Sequence, residues 1–177
     1  MVTAVNAAEK CRMEENMKID SLIFDLDGTL WDSSEGIVAT WALVLENYPE
    51  IHKKVTAEEL ASNFGLPLEQ IARNMFPDQP ESLRQQLMAE CGEKENLYLA
   101  EHGGLLYPKL EETLRNLSEK YPLFIVSNCQ DGYIQSFYSG NHTEKYFKDC
   151  ECIGVTGKSK GENIRLVMER NGLKAPV

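Results

Sequence analysis

Asp25 and Asp27, in Asp25-Leu26-Asp27-Gly28-Thr29, stand directly behind the apolar run Ser21-Leu22-Ile23-Phe24. At the end of a strand, residues i and i+2 project the same way, so both carboxylates can face one reacting atom. That layout suits phosphoryl transfer. Asp25 can attack phosphorus covalently, which divides one hard displacement into two easier ones, and Asp27 can trade protons. A cation must then offset the charge on the phosphoryl oxygens. A calcium loop of the EF-hand kind also starts D-x-D, but it needs an acid at its twelfth position. Here Thr29 holds the fifth position and Gly36 the twelfth, and a strand rather than a helix comes before.

The elements around the two acids follow from periodicity and punctuation. Residues 21–24 read as a short buried strand bounded by Gly28, and open α/β sheets place their ligands at the carboxyl ends of such strands. The pattern then turns helical for a long stretch without a strand. It runs from Ile37-Val38 through Leu45, past a Thr56-x-x-Glu59 capping box, over Leu68 to Met75, and from Pro80 to about Leu99,. Gly103-Gly104 interrupts it. Pro108 suits the first turn of a helix through Lys120, and Pro122-Leu123-Phe124-Ile125-Val126 is a second buried strand,.

That strand ends at Ser127-Asn128. Asp131, further along the same loop, can cap a helix through Ile134 and Phe137,. Near the end, Ser159-x-x-Glu162 is a capping box that places Lys160 in the first turn of a helix through Met168,. Gly157-Lys158-Ser159 after a strand-like Cys152-Ile153 approaches the phosphate-binding P-loop, but Cys152 stands where the first glycine of that motif belongs,.

The pentapeptide with its strand resembles motif I of the haloacid dehalogenase superfamily, and Leu30-Trp31-Asp32-Ser33 is similar to its phosphoglycolate-phosphatase-like branch. The resemblance implies an α/β fold, a Rossmann-like three-layer core with a parallel sheet and an inserted α-helical cap. Residues 17–34 and 103–177 would form the core, residues 35–102 the cap, and residues 1–16 an N-terminal extension. It implies that Asp25 is the nucleophile that forms an aspartyl-phosphate and Asp27 the general acid and base. Thr29, Ser127 and Asn128 would hold the phosphate, and Mg2+ would sit on Asp25 and Asp27. The motif III lysine would be Lys160, from the Lys-Gly form, or Lys158, at the branch's Lys-Pro-x-Pro spacing with both prolines replaced. Lys160 is the preferred candidate, because the capping box sets it at a helix N-terminus.

The resemblance covers residues 19–177 and the first three motifs. The chain reaches Lys174-Ala175-Pro176-Val177 before the acidic motif IV, so a C-terminally truncated chain is expected, with a weakened metal site and an uncovered first strand,. The activity implied is Mg-dependent hydrolysis of a small phosphorylated metabolite. A phosphomutase or phosphonate hydrolase of the same superfamily, and a catalytically impaired binding remnant, are the alternatives.

Composition agrees with a small-molecule enzyme. At 177 residues and 42% hydrophobic content the chain suits one domain or a core with a modest insertion,. A net charge of -10 argues against a nucleic-acid partner, whose phosphates Lys and Arg would have to neutralise,. No window has the apolar length of a membrane helix, and the N-terminus carries no apolar signal segment. Five cysteines without zinc-like spacing point to a reducing cytoplasm, with Cys150-x-Cys152 as a buried strand pair,. Oligomeric state and substrate identity have no signature.

Overall fold

The structure is a computed structural model, which describes residues 19–174. Its sheet has the strand order β1-β4-β5, with β1 Leu22–Phe24, β4 Leu123–Ser127 and β5 Phe147–Cys152, all parallel. Every residue of β4 is buried, because both faces of the sheet are covered,. Leu123 and Ile125 join the large core shared with Phe137 of helix α6 (Tyr133–Asn141), while Phe124 and Val126 pack on Val167 of helix α8 (Lys160–Arg170). Helix, sheet and helix thus form the three layers that the sequence leads one to expect.

β1 is less buried than its apolar run alone suggests and has the uncovered side expected of the first strand. It forms the edge of the sheet and its three residues are only half-buried, since among the described residues no strand pairs with its outer side. Its alternation still works: Leu22 and Phe24 lean on the large core and Ile23 on the small one,.

Between β1 and β4 the chain leaves the sheet through β2 (Trp31–Asp32) and returns through β3 (Leu105–Leu106). The two pair antiparallel and form a neck that the helical pattern of the sequence did not disclose. Gly104 is required there, because a Cβ would meet Cε3 of Trp31 at 2.7 Å. Beyond the neck lie α1 (Ser34–Leu45), α2 (Ala57–Ala61), α3 (Leu68–Met75) and α4 (Glu81–His102). The Thr56 capping box is complete, with Thr56 Oγ1 accepting from Glu59 N–H at 3.2 Å and Glu59 Oε2 accepting from Thr56 N–H at 3.3 Å. Such a cap stabilises a short helix by about 1 kcal/mol.

α4 does not end free of the sheet layers. Its last turn lies on α6 so closely that a Cβ on Gly140 would meet the Leu99 carbonyl oxygen at 2.1 Å.

Several boundaries shift for local reasons. Helix α5 spans Leu110–Ser118 rather than starting at Pro108, because Lys109 adopts a left-handed φ of 63° before it. Gly132, with φ 85°, takes the N-terminal cap of α6 in place of Asp131, whose side chain caps nothing. Ile153 opens the short helix α7 (Ile153–Thr156) instead of extending β5. Cys152 is buried as expected on β5 but Cys150 is only half-buried, and the described cysteines are free thiols. The proposed extension at residues 1–16 lies outside the described residues. No helix among the described residues is long and apolar enough to cross a membrane.

Candidate active site

Asp25 follows the last residue of β1, where its Oδ1 accepts the N–H of Leu26 at 2.8 Å. Its other oxygen, Oδ2, lies 2.6 Å from the ammonium of Lys160. The ion pair is partly solvent-exposed, 29% for the lysine and 31% for the aspartate side chain, so a ligand can reach it.

The loop that presents Lys160 is fixed from below. Buried Asn163 accepts from the Thr156 hydroxyl at 2.7 Å and donates to the Lys158 carbonyl at 3.2 Å. Ser159 then caps α8, its Oγ accepting the Glu162 N–H at 3.4 Å while its own N–H (3.0 Å) and hydroxyl (2.6 Å) donate to Glu162 Oε2. A cation in the first turn opposes the helix dipole. The placement of Lys160 therefore does not serve its own helix, and the Asp25 carboxylate offsets it. Lys158 is exposed and forms no ion pair with a described residue.

Asp27 has different surroundings. Gly28, at φ 70°, turns the chain back so that its N–H donates to the Trp31 carbonyl at 3.1 Å. That turn brings three donors onto a single oxygen of Asp27. Oδ1 accepts from Trp31 Nε1 (2.9 Å), Ser33 Oγ (3.1 Å) and Tyr133 OH (2.9 Å). Burial pushes the Asp27 carboxyl up to about 6 against those three bonds, and the nearby Asp25 charge adds to the rise,. With Oδ1 crowded by donors, a proton on this carboxyl resides on Oδ2.

The Tyr133 hydroxyl oxygen also lies 2.8 Å from Ser33 Oγ, and its ring packs edge-on against Trp31 at 5.6 Å. Trp31, Ser33 and Tyr133 hold the acid in one orientation. Tyr133 carries no signal in the sequence, since an aromatic residue early in a helix reads as core.

The remaining sequence candidates divide. Asp27, Ser127 and Asn128 line one cavity of about 50 Å³ between the sheet ends and the cap. Ser127 is buried at the end of β4, whereas Asn128 donates to the Gly65 carbonyl of the cap at 2.8 Å and so bridges the two parts. Thr29 is exposed on the turn, its N–H bonded to the Leu26 carbonyl at 3.2 Å, and lies outside that cavity lining. Among the described residues no three His, Cys, Asp or Glu side chains cluster as metal ligands. Two residues that carry no catalytic signature also line the cavity, Glu95 of α4 and Gln130.

A parallel sheet with an acid pair at a strand end and a lysine on the facing helix defines a class of α/β hydrolase. The sequence pattern of the haloacid dehalogenase-like hydrolases matches residues 22–176, and the chain belongs to that family. Phosphoglycolate phosphatase of Pectobacterium atrosepticum is 27% identical over 170 residues, which cover 92% of this chain and 71% of that protein. A haloacid dehalogenase-like hydrolase of Bacteroides fragilis superposes with a TM-score of 0.73 at 23% identity, over 89% of this chain and 75% of that one. A predicted phosphoglycolate phosphatase of Haemophilus somnus reaches the same TM-score at 19% identity, over 89% and 74% of the two chains.

Proposed function

We propose that the chain is a phosphatase that hydrolyses a small phosphomonoester through an aspartyl-phosphate on Asp25. The observation that carries this reading is the 2.6 Å pair between Lys160 and Asp25 Oδ2. The lysine holds the carboxylate in place and stands where transferred phosphoryl oxygens need positive charge,. An Asp25 oxygen bonds to phosphorus as the bond to the ester oxygen breaks. The proton on Asp27 Oδ2 passes to the departing oxygen, so the alcohol leaves neutral. Asp27, now ionised, takes a proton from a water that attacks the acyl-phosphate. Phosphate departs and both acids return to their starting state. Ser127 and Asn128, which line the cavity with Asp27, would hold phosphoryl oxygens, and Lys160, which with Asp25 stands outside that lining, takes the motif III role in preference to exposed Lys158.

Magnesium fits the donors in kind. It is a hard cation that accepts one or two carboxylates, keeps several waters and completes its shell with substrate phosphate. The part-exposed Asp25 carboxylate and the Asp27 backbone carbonyl would hold it. When bound it would offset phosphoryl charge.

The test is phosphate release from p-nitrophenyl phosphate with and without Mg2+, on the chain and on Asp25→Asn. An amide cannot form the acyl-phosphate, so activity should fall by about 10,000-fold or more. A folded Asp25→Asn protein with the parent's rate would overturn the mechanism.

A further inference from the structure

The cap side of the cavity ends on a second acid, and this one is buried. Glu95, about two-thirds of the way along α4, is 5% exposed and lines the same cavity as Asp27 and Ser127. Its Oε1 accepts the indole N–H of Trp41, and its Oε2 accepts from Gln130 Nε2 at 2.8 Å. Both donors are themselves held. Trp41 stacks on Phe76 with ring centroids 5.9 Å apart, and Gln130 Nε2 also reaches Asn96 Oδ1 at 3.4 Å. The carboxyl is therefore fixed, with a lone pair left on each oxygen.

No Lys, Arg or His is found among the described residues lining the cavity, and the cation nearest the chemistry, Lys160, is paired with Asp25. Burying an acid is unfavourable, and burial pushes Glu95 up to about 7,. A glutamine, with one carbonyl oxygen, could accept from only one of these two donors, so a carboxyl group is what satisfies both Trp41 and Gln130,. Once ionised, above about 7, the acid also turns acceptor lone pairs to the cavity that only a donor can satisfy,.

We infer that Glu95 selects the alcohol part of the phosphate ester, favouring esters that carry an ammonium or hydroxyl donor and disfavouring those that carry a carboxylate. The inference rests on the phosphatase reading of the same site. A carboxylate set against Glu95 would bring two like charges together with no cation between them, whereas an ammonium or hydroxyl fills the free lone pairs.

The experiment compares kcat/KM for four two-carbon esters: ethyl phosphate, 2-hydroxyethyl phosphate, 2-aminoethyl phosphate and 2-phosphoglycolate. It uses the full chain and Glu95→Gln, with p-nitrophenyl phosphate as reference. The wild type should prefer the amino or hydroxyl ester over 2-phosphoglycolate by at least about 10-fold, and Glu95→Gln should shrink that ratio by about 10-fold, mainly through KM. A wild type that favours 2-phosphoglycolate, or a ratio the substitution leaves unchanged, overturns the role of Glu95. If the variant fails to fold, the wild-type ratio decides. Absence of phosphate release from every ester, p-nitrophenyl phosphate included, overturns the phosphatase reading and this inference with it. Release from p-nitrophenyl phosphate with 2-phosphoglycolate preferred overturns only the inference.

Discussion

The loop behind β1 and the cap each carry one acid on the same cavity, Asp27 half-buried and Glu95 buried, and the two are bonded in opposite ways. Asp27 receives all three of its donors on Oδ1, while Glu95 receives one donor on each oxygen. Burial raises both, to about 6 and about 7. The one-sided arrangement leaves a single oxygen to give and take a proton. The two-sided arrangement holds a carboxyl still and spreads its remaining acceptors over both oxygens. Burial alone therefore does not define a catalytic acid; the distribution of its hydrogen bonds does.

This contrast can be broken most decisively at Asp27. Asp27→Asn should slow turnover by about 100-fold to 10,000-fold, the usual share of general acid–base catalysis. The loss should be greater for alkyl esters, whose alkoxide needs a proton, than for p-nitrophenyl phosphate. Equal losses for the two would remove the proton-transfer role and leave Asp27 resembling Glu95.

A smaller effect is expected at the lysines. Lys160→Met should lower kcat by about 100-fold, as removal of one preorganised charge partner typically does, whereas Lys158→Met should stay within about 2-fold. Steady-state rates on one substrate decide it, and a reversal would assign the phosphate contact to Lys158.

The smallest effect tests Glu95 through stability. Its carboxyl titrates near 4.5 in the unfolded chain and at about 7 when folded, a difference worth about 3 kcal/mol,. As pH rises from 4.5 the unfolded chain ionises first, while the folded protein keeps its proton until about 7. Stability due to this group therefore falls through that window and levels above it. Glu95→Gln lacks the loss. Urea unfolding at pH 4 and pH 8 should show the wild type losing about 3 kcal/mol relative to the variant. A difference that does not change with pH would show Glu95 to be less buried than the structure has it.

The sequence was legible where short-range rules act. Apolar β-formers at Leu123 to Val126 and the capping boxes at Thr56 and Ser159 state their structure within a few residues, and the helix over Leu68–Met75 appears with the expected ends. The Asp25-x-Asp27 spacing likewise announces a strand-end acid pair. What remained hidden depends on contacts distant in the chain. Tyr133 reaches Asp27 across 106 positions, and Trp41 reaches Glu95 across 54. The β2–β3 neck is built from pairs of residues too short to show a period of two. The left-handed Lys109 and the cap at Gly132 were missed because Pro108 and Asp131 each offered a more familiar local signal.

The contact between Gly140 and Leu99 gives the last turn of α4 a fixed point, a fulcrum for the whole helix. Glu81 lies about 27 Å from it at 1.5 Å per residue, and Gln86 and Glu90 on that arm are bonded to Tyr48, so any tilt would have to carry Tyr48 with it,. A tilt of about 10° about that fulcrum would carry the Glu81 end some 5 Å, enough to widen a mouth for a small ester. Glu95 sits a single turn from the fulcrum and would travel only about 1 Å. A bulkier residue at position 140 would move the fulcrum itself, and with it the acid that faces the substrate.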